Sequence, residues 1–243
     1  MKKNVKKMAA IVAVILGCST STFAQNGLTL RAGGNFPVGA FGNGENAVEL
    51  ALSNPNATFG GAATGFNAGL KYQLSLVGDF SAFATADLFY NGLKGDIKEA
   101  WKGDSENITL PAYMNIPVMV GLNYTILDIA SATLWAEAGA GANFRSITKS
   151  SAKAALGTIV SGSAETTYNL TTTLVWQAGI GVSLANTITL GLHYYSFGGA
   201  DIKGESTSSG NLGGLISGGS KPMPFTYGNL NPSMVVVRLG YTF

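Results

Sequence analysis

The last twelve residues of the chain, PSMVVVRLGYTF (residues 232–243), alternate bulky apolar residues with polar or small ones up to the terminal aromatic ring. A period of two residues is the period of a β-strand, whose successive side chains point to opposite faces. Chain ends usually fray into small polar residues. An apolar alternation that runs to the last residue therefore predicts a terminal strand that closes a larger β-structure.

The same alternation recurs in eight segments along the chain. They cover residues 28–36, 61–74, 79–93, 110–126, 131–147, 168–184, 187–200 and 235–243. The connections alternate in length, with short ones at 75–78, 127–130 and 185–186 and long, polar ones at 37–60, 94–108, 148–165 and 201–231. Such an alternation is typical of an up-and-down barrel in an outer membrane, where the turns face the periplasm and the loops face outside.

The two faces of these segments differ in composition. One carries bulky residues, with aromatic residues towards the segment ends, and the other carries mainly Gly, Asn, Thr and Ser. A soluble barrel would instead expose Lys, Glu and Asp, and this alternative stays open. No stretch after residue 25 reaches the roughly 20 apolar residues of a membrane helix. The sequence therefore predicts an all-β fold, an eight-stranded antiparallel up-and-down transmembrane β-barrel over residues 25–243, located in the cell outer membrane.

The first 24 residues have the layout of a secretory signal peptide. Four lysines precede a short apolar run, and STFAQ offers small residues around a cleavage point after Ala24. The alternative is a lipid anchor at Cys18 within ILGC, although Leu16 is larger than the residue such a motif usually has there. The predicted organisation is a signal peptide at 1–24 followed by a barrel domain at 25–243.

Removal of the signal changes the charge balance of the chain. The 15 Lys and Arg fall to 15 − 4 = 11, against 13 Asp and Glu, so the mature chain is slightly acidic and offers no argument for nucleic acid. The single cysteine lies in the signal, and the chain contains one histidine. We therefore expect no disulfide, no cysteine or multi-histidine metal site, and no cofactor.

Three motifs carry a resemblance to a known family. PAYMNIPVMVGLNY (residues 111–124), LWAEAGAGANF (134–144) and the terminal VVVRLGYTF resemble successive strands of the Bacteroidetes outer-membrane β-barrel family, which is similar in type to OmpA, OmpX and PorT barrels. The resemblance implies that Tyr241 and Phe243 form the aromatic C-terminal signal recognised by the barrel-assembly machinery. It implies fold and location more than activity, because many members have no defined activity.

Charged residues within the predicted strands are candidate site residues. By alternation, Arg31, Lys71, Asp87, Glu137, His193 and Arg238 point into the barrel. A charge in a narrow lumen is costly unless it is paired, and eight strands leave an interior that side chains can fill. We expect Arg31 or Arg238 to reach Glu137 or Asp87 in a structural network that plugs the lumen. A proton or ion path and a catalytic role are the alternatives.

His193 also suggests a lipid hydrolase, because Ser196 lies three residues away in GLHYYSFGG. An odd spacing on a regular strand puts the two side chains on opposite faces, and no carboxylate lies nearby in sequence to orient the imidazole. The sequence therefore favours a buried, hydrogen-bonded histidine, and no catalytic residue is assigned.

The long loops are the expected place for recognition. Those at 37–60 and 201–231 contain apolar residues that could contact a surface partner or pack over the barrel mouth, and residues 151–156 (SAKAAL) could form one or two helical turns. We expect a non-enzymatic protein with an envelope-structural or surface-interaction role through four extracellular loops. The alternatives are a small pore or transporter for ions or small hydrophilic solutes and, third, an outer-membrane lipid hydrolase. The expected partners are outer-membrane lipid, the assembly machinery during biogenesis and a possible surface partner.

Overall fold

The computed structural model describes residues 27–43, 60–95, 99, 108–129, 131–156, 160–212, 216–219 and 221–243. Within this part of the chain, eight antiparallel strands close into a barrel. They are β1 (Gly27–Val38), β2 (Gly65–Ser75), β3 (Phe80–Asn91), β5 (Tyr113–Ile129), β6 (Ala132–Ile147), β9 (Thr171–Leu184), β10 (Ile188–Ser196) and β14 (Ser233–Thr242). The signal peptide predicted at 1–24 lies outside the described residues.

The barrel is of the up-and-down type, with each strand paired to its neighbours in barrel order and β1 paired to β14. The closing pair runs from Thr29 opposite Thr242 to Val38 opposite Ser233. The terminal alternation is therefore the closing strand, and the predicted fold class is confirmed. Because every edge is paired, the backbone polar groups of the barrel strands are satisfied within the sheet.

One of the short connections differs from the prediction. The turn expected at 127–130 lies further along the chain, because β5 continues to Ile129 through a register shift between Thr125 and Leu127. The turn at 185–186 lies in a three-residue connection, 185–187, between Leu184 and its partner Ile188, and the Thr187 N–H donates to the Leu184 carbonyl at 3.0 Å. Both central residues have positive φ, 48° for Ala185 and 55° for Asn186. Positive φ at both central positions matches the type I′ turn that suits the twist of paired strands.

The apolar side of each barrel strand faces outward. On β14, Val237 and Leu239 are 40% and 62% exposed, whereas Arg238 between them is 2% exposed. The same alternation holds on β9, where Leu174 is 70% exposed and Val175 is 0%. An apolar surface that continues around a closed barrel is far larger than the patches that water-soluble proteins expose.

Aromatic residues form two rings on this outer surface. Near the loop end Phe66 stacks on Tyr90 at 5.4 Å, and near the turn end Phe80 contacts Tyr124 at 4.9 Å between ring centroids. Phe80 and Tyr90 are ten residues apart on β3, which is about 33 Å along a strand. A strand tilt of about 40° reduces this to about 25 Å, the height of the apolar band of outer-membrane barrels. The protein is an outer-membrane β-barrel, and in such barrels the short turns face the periplasm. Gly27 of β1 and Thr242 of β14 lie at the turn end.

A separate observation concerns helices. In the described part of the chain, no helix is long and apolar enough to cross a membrane.

Two of the long connections are built largely of strands, contrary to the loops predicted there. A second sheet contains β4 (Ile108–Thr109), β7 (Ser150–Leu156), β8 (Val160–Tyr168), β11 (Ala200–Leu212), β12 (Ile216–Gly219) and β13 (Met223–Leu230). The helical turns suggested for residues 151–156 are wrong, because β7 pairs antiparallel with β8 along its whole length. Hairpin pairing satisfies the backbone groups of residues with weak helix preference, such as Ser150 and Ser151.

The main buried cluster lies in the loop half of the barrel. It includes Phe89, Val175, Tyr195, Phe197 and Met234, each fully buried. Phe41, in the predicted loop 37–60, is 1% exposed and packs edge-on against Tyr113 at 5.1 Å. This residue therefore covers the barrel mouth rather than extending outward, while residues 44–59 of the same loop lie outside the described residues.

Candidate functional site: the barrel interior

The interior side chains are arranged in layers along the barrel axis. Small polar residues lie nearest the turns and the charged cluster follows. The apolar cluster beneath the loops is interspersed with asparagines, as in the contact of Asn35 Nδ2 with Met234 Sδ at 3.6 Å. All six candidate residues, Arg31, Lys71, Asp87, Glu137, His193 and Arg238, are inside and at most 8% exposed. Their inward orientation follows from the period of two, which the register of every barrel strand preserves at these positions.

Asp87 of β3 is held by two arginines. Arg31 donates through Nε to Oδ1 at 3.0 Å and through Nη2 to Oδ2 at 2.7 Å, a bidentate pair. Arg238 lies 3.6 Å from Oδ2 and donates its own hydrogen bonds to Asn67 and Tyr195, each at 2.7 Å. The Arg238 guanidinium also lies over the Tyr195 ring, at 4.9 Å from its centroid.

Glu137 of β6 is the centre of the second group. Its carboxylate accepts from Lys71 and, at 3.0 Å, from the Gln177 amide, and it lies 3.0 Å from His193 Nε2. Arg31 Nη1, at 3.8 Å from Oε1, links this group to Asp87. The two groups thus form one network that joins strands β1, β2, β3, β6, β9, β10 and β14, and the carboxylates are not left as isolated buried charges.

Glycines on the neighbouring strands make room for the network. Gly69 lies between Arg31 and Asp87 in the strand register, and a Cβ there would collide with Asp87 Oδ1. Gly179 lies between Glu137 and His193, and a Cβ there would collide with the imidazole ring. The large inward side chains therefore reach their partners across strands that present no side chain at that level.

Arg145 is an interior cation that the candidate set omitted. It is 3% exposed and donates to the main-chain oxygens of Leu230 at 2.8 Å, Phe197 at 3.2 Å and Gly198 at 2.7 Å. The sequence already indicates that Arg145 points inward, because it is two positions from Asn143 on the polar face of the same strand. Arg145 Nε also donates to Asn115 Oδ1 of β5 at 3.3 Å. The other three partners could not be predicted from the sequence, because they are carbonyls in the connection between β10 and β14.

His193 and Ser196 do not meet. The imidazole is inside, 3% exposed and next to Glu137, whereas Ser196 is an odd number of positions away on the same strand and paired with Ser233. Glu137 is the orienting carboxylate that sequence proximity did not reveal, since it comes from β6. Among the described residues, no group of three or more His, Cys, Asp or Glu side chains could hold a metal ion.

A cavity of about 310 Å³ occupies the turn half of the barrel. Its walls include Thr29, Ser81, Thr133, Ser183 and Thr189, and its inner end is formed by Arg31, Lys71, Trp135, Glu137, His193 and Arg238. Asn186 of the last turn and the terminal Phe243 also line it, so it opens towards the periplasmic end.

No family model matches the chain, and no curated protein does. Solved structures that are similar include a major outer membrane protein from Thermus thermophilus (13% identity, 90% of this chain and 99% of that chain covered, TM-score 0.44). The attachment invasion locus protein Ail of Yersinia pestis has 15% identity, coverage of 90% and 97%, and a TM-score of 0.41. OprG from Pseudomonas aeruginosa has 12% identity, coverage of 90% and 96%, and a TM-score of 0.43. The fold and location stated above rest on the strand pairing and the outer surface of this chain itself.

Proposed function

We propose that this protein is a non-enzymatic, non-conducting outer-membrane barrel that acts through the sheet at its loop end. The observation that carries the proposal is the second sheet, in which three long connections are joined. Strand β11 pairs with β8 over nine residues, from Gly204 opposite Tyr168 to Leu212 opposite Val160. Its other edge pairs with β13 over residues 200–206 and with β12 over residues 209–212. Recognition surfaces are commonly built on connections held by a rigid scaffold.

The apolar cluster supports the non-conducting part of the proposal. Phe89, Tyr195 and Phe197 contact one another with centroid separations of 5.0 to 5.6 Å and are fully buried in the lumen. Ions do not cross packed aromatic side chains, because desolvating a charge there is costly. The alternative, a small pore or transporter, requires this cluster to open.

The non-enzymatic part rests on the position of the histidine. Its partner is a carboxylate that already accepts hydrogen bonds from Lys71 and Gln177, and Ser196 lies on the other face of β10. We further propose that the ionic network of Arg31, Lys71, Asp87, Glu137, His193 and Arg238 is structural, tying strands together and fixing their register.

The proposal also covers export of the protein and its assembly into the outer membrane. The motifs at 111–124, 134–144 and the C-terminus support a barrel of the Bacteroidetes type in a Gram-negative envelope. The N-terminal pattern supports cleavage after Ala24, and Tyr241 and Phe243 are proposed as the signal for the assembly machinery. The partners are then outer-membrane lipid and a surface molecule that contacts the second sheet.

The test removes most of β11 and β13 and all of β12 from the second sheet and keeps the barrel. Lys203 pairs with Thr226, so replacing residues 204–225 by Asn-Gly closes the hairpin with a favoured two-residue turn. Surface cross-linking on intact cells should yield adducts with the parent and none with the shortened protein, while both keep heat-dependent gel mobility. Adducts that persist in the shortened protein contradict a role for the part of the sheet formed by β11, β12 and β13. A unitary conductance for the parent in planar bilayers contradicts the closed lumen.

A further inference from the structure

We infer that the cavity at the periplasmic end is a binding site for a small, singly charged oxyanion, such as a short carboxylate. This inference goes beyond the proposed surface role, which concerns the opposite end of the barrel. The cavity of about 310 Å³ lies within the size range of ligand sites. At about 30 Å³ per water molecule it corresponds to roughly ten waters.

The charge of the cluster at the inner end indicates an anion. Arg31, Lys71 and Arg238 carry three positive charges and Asp87 and Glu137 two negative ones, so the cluster has 3 − 2 = 1 excess positive charge when His193 is neutral. The bidentate partner of Asp87 is Arg31, and the hydrogen bonds of Arg238 go to neutral acceptors. Asp87 is thus shared between Arg31 and Arg238, whose Nη1 lies 3.6 Å from Oδ2. An anion that enters the cavity offsets the one positive charge left in excess.

Unused hydrogen-bonding groups lie in residues that line the cavity. Among the described residues, none pairs with Arg238 Nη2 or with His193 Nδ1, although the two side chains are 2% and 3% exposed. The Nδ1 edge of the imidazole lies over Gly191, itself a wall residue, so the absence of a side chain there opens this edge towards the cavity. Buried polar atoms of this kind normally have a partner.

Lys71 is the best placed donor for the ligand. Its ammonium has three protons, and it pairs with Glu137 while lying 4.9 Å from the Phe83 centroid and 5.3 Å from that of Trp135. It lines the cavity and retains 8% exposure. The hydroxyls of Thr29, Ser81 and Thr189 on the walls can donate to further ligand oxygens.

The charges at the mouth do not reverse this preference. Asp128 and the C-terminal residue Phe243 also line the cavity, but Asp128 is exposed and Phe243 is 75% exposed. Exposed charges are screened by water and salt, whereas buried ones are screened much less. The field at the inner end is therefore set by the buried cluster.

The single histidine of the chain, His193, can be used as an NMR probe of ligand binding. The mature full-length barrel, without a histidine tag, is labelled with ¹⁵N-histidine in lipid nanodiscs and titrated with sodium acetate at constant ionic strength. The expected result is a saturable change in the His193 Nδ1 resonance. Lys71→Met should raise the acetate Kd at least tenfold, and Lys149→Met, which changes an exposed lysine paired with Glu165, should leave it unchanged.

A second pair of variants avoids the ion-pair network. Gln73 lines the cavity wall, so Gln73→Glu should raise the Kd at least tenfold and Gln73→Lys should lower it, in barrels whose heat-dependent mobility is normal. A shift that grows linearly with acetate, or a Kd that is the same in all four variants, overturns the inference.

Discussion

Arg31 of β1 and Asp87 of β3 form a bidentate pair across the intervening strand, directly over Gly69 of β2. A side chain at position 69 would occupy the space of the pair, since a Cβ there lies 2.7 Å from the Ala86 carbonyl oxygen and still closer to Asp87 Oδ1. The position of one glycine therefore decides whether two charges from non-adjacent strands can meet.

Gly69→Ala should destabilise the barrel by about 2–4 kcal/mol, because it separates a buried pair and forces the backbone to move. Urea unfolding in lipid vesicles, followed by tryptophan fluorescence, measures the free energy of unfolding. The matched control is Gly34→Ala on β1, where a Cβ would meet only the Phe36 ring at 3.5 Å, an ordinary contact. Equal effects of the two substitutions would contradict the importance of the pair.

Glu137→Ala should lower the free energy of unfolding by about 3–5 kcal/mol, since Lys71 loses its only carboxylate within salt-bridge distance among the described residues. Glu137→Gln keeps the shape and one acceptor oxygen and should have a smaller effect. Glu165→Ala removes the exposed partner of Lys149 and should change stability by less than about 1 kcal/mol. Unfolding of Glu137→Ala at the same urea concentration as the parent would refute the network.

Arg145→Met should loosen the connection between β10 and β14 without opening the barrel. The substitution removes the donors that Arg145 provides to the carbonyls of Gly198 and Leu230, and a buried carbonyl left unpaired costs about 1–3 kcal/mol. The Phe197 carbonyl also loses Arg145 but still accepts from the Thr173 hydroxyl. We expect faster proteolytic cleavage within residues 200–230 and unchanged heat-dependent mobility. Lys153→Met, an exposed substitution on β7, is the control; equally fast cleavage in both variants would count against this role.

The period of two was sufficient to predict the fold and the inward residues, because a one-residue slip would expose Arg238 and bury Leu239. The partners could not be predicted, since Arg31 meets Asp87 56 positions away through the tilt and register of three strands. The second sheet was missed for a similar reason. Segments such as 160–168 and 200–212 are rich in Ser, Thr and Gly, and they become strands by pairing with each other rather than by burying an apolar face.

Deleting Phe243 should reduce assembly in cells and leave refolding in detergent intact, if this residue is part of the assembly signal. Its ring is 75% exposed and packs edge-on against Tyr241 at 5.1 Å, so its contribution to the folded barrel is small. The fraction of heat-modifiable protein in outer-membrane preparations measures assembly. The Phe243→Tyr variant, which keeps an aromatic residue at this position, should assemble like the parent. Normal assembly of the protein without Phe243 would contradict its role in the assembly signal.

The most direct test of the account compares two adjacent valines on the closing strand. Val236 is 0% exposed and points inward, and Val237 is 40% exposed and points outward. Because the only cysteine precedes the predicted cleavage point, Val236→Cys and Val237→Cys each carry a single site for an environment-sensitive fluorophore. In vesicles with spin-labelled acyl chains, the account predicts strong quenching at position 237 and weak quenching at 236. Equal quenching at both positions, or stronger quenching at 236, would contradict the assignment of the apolar face to lipid.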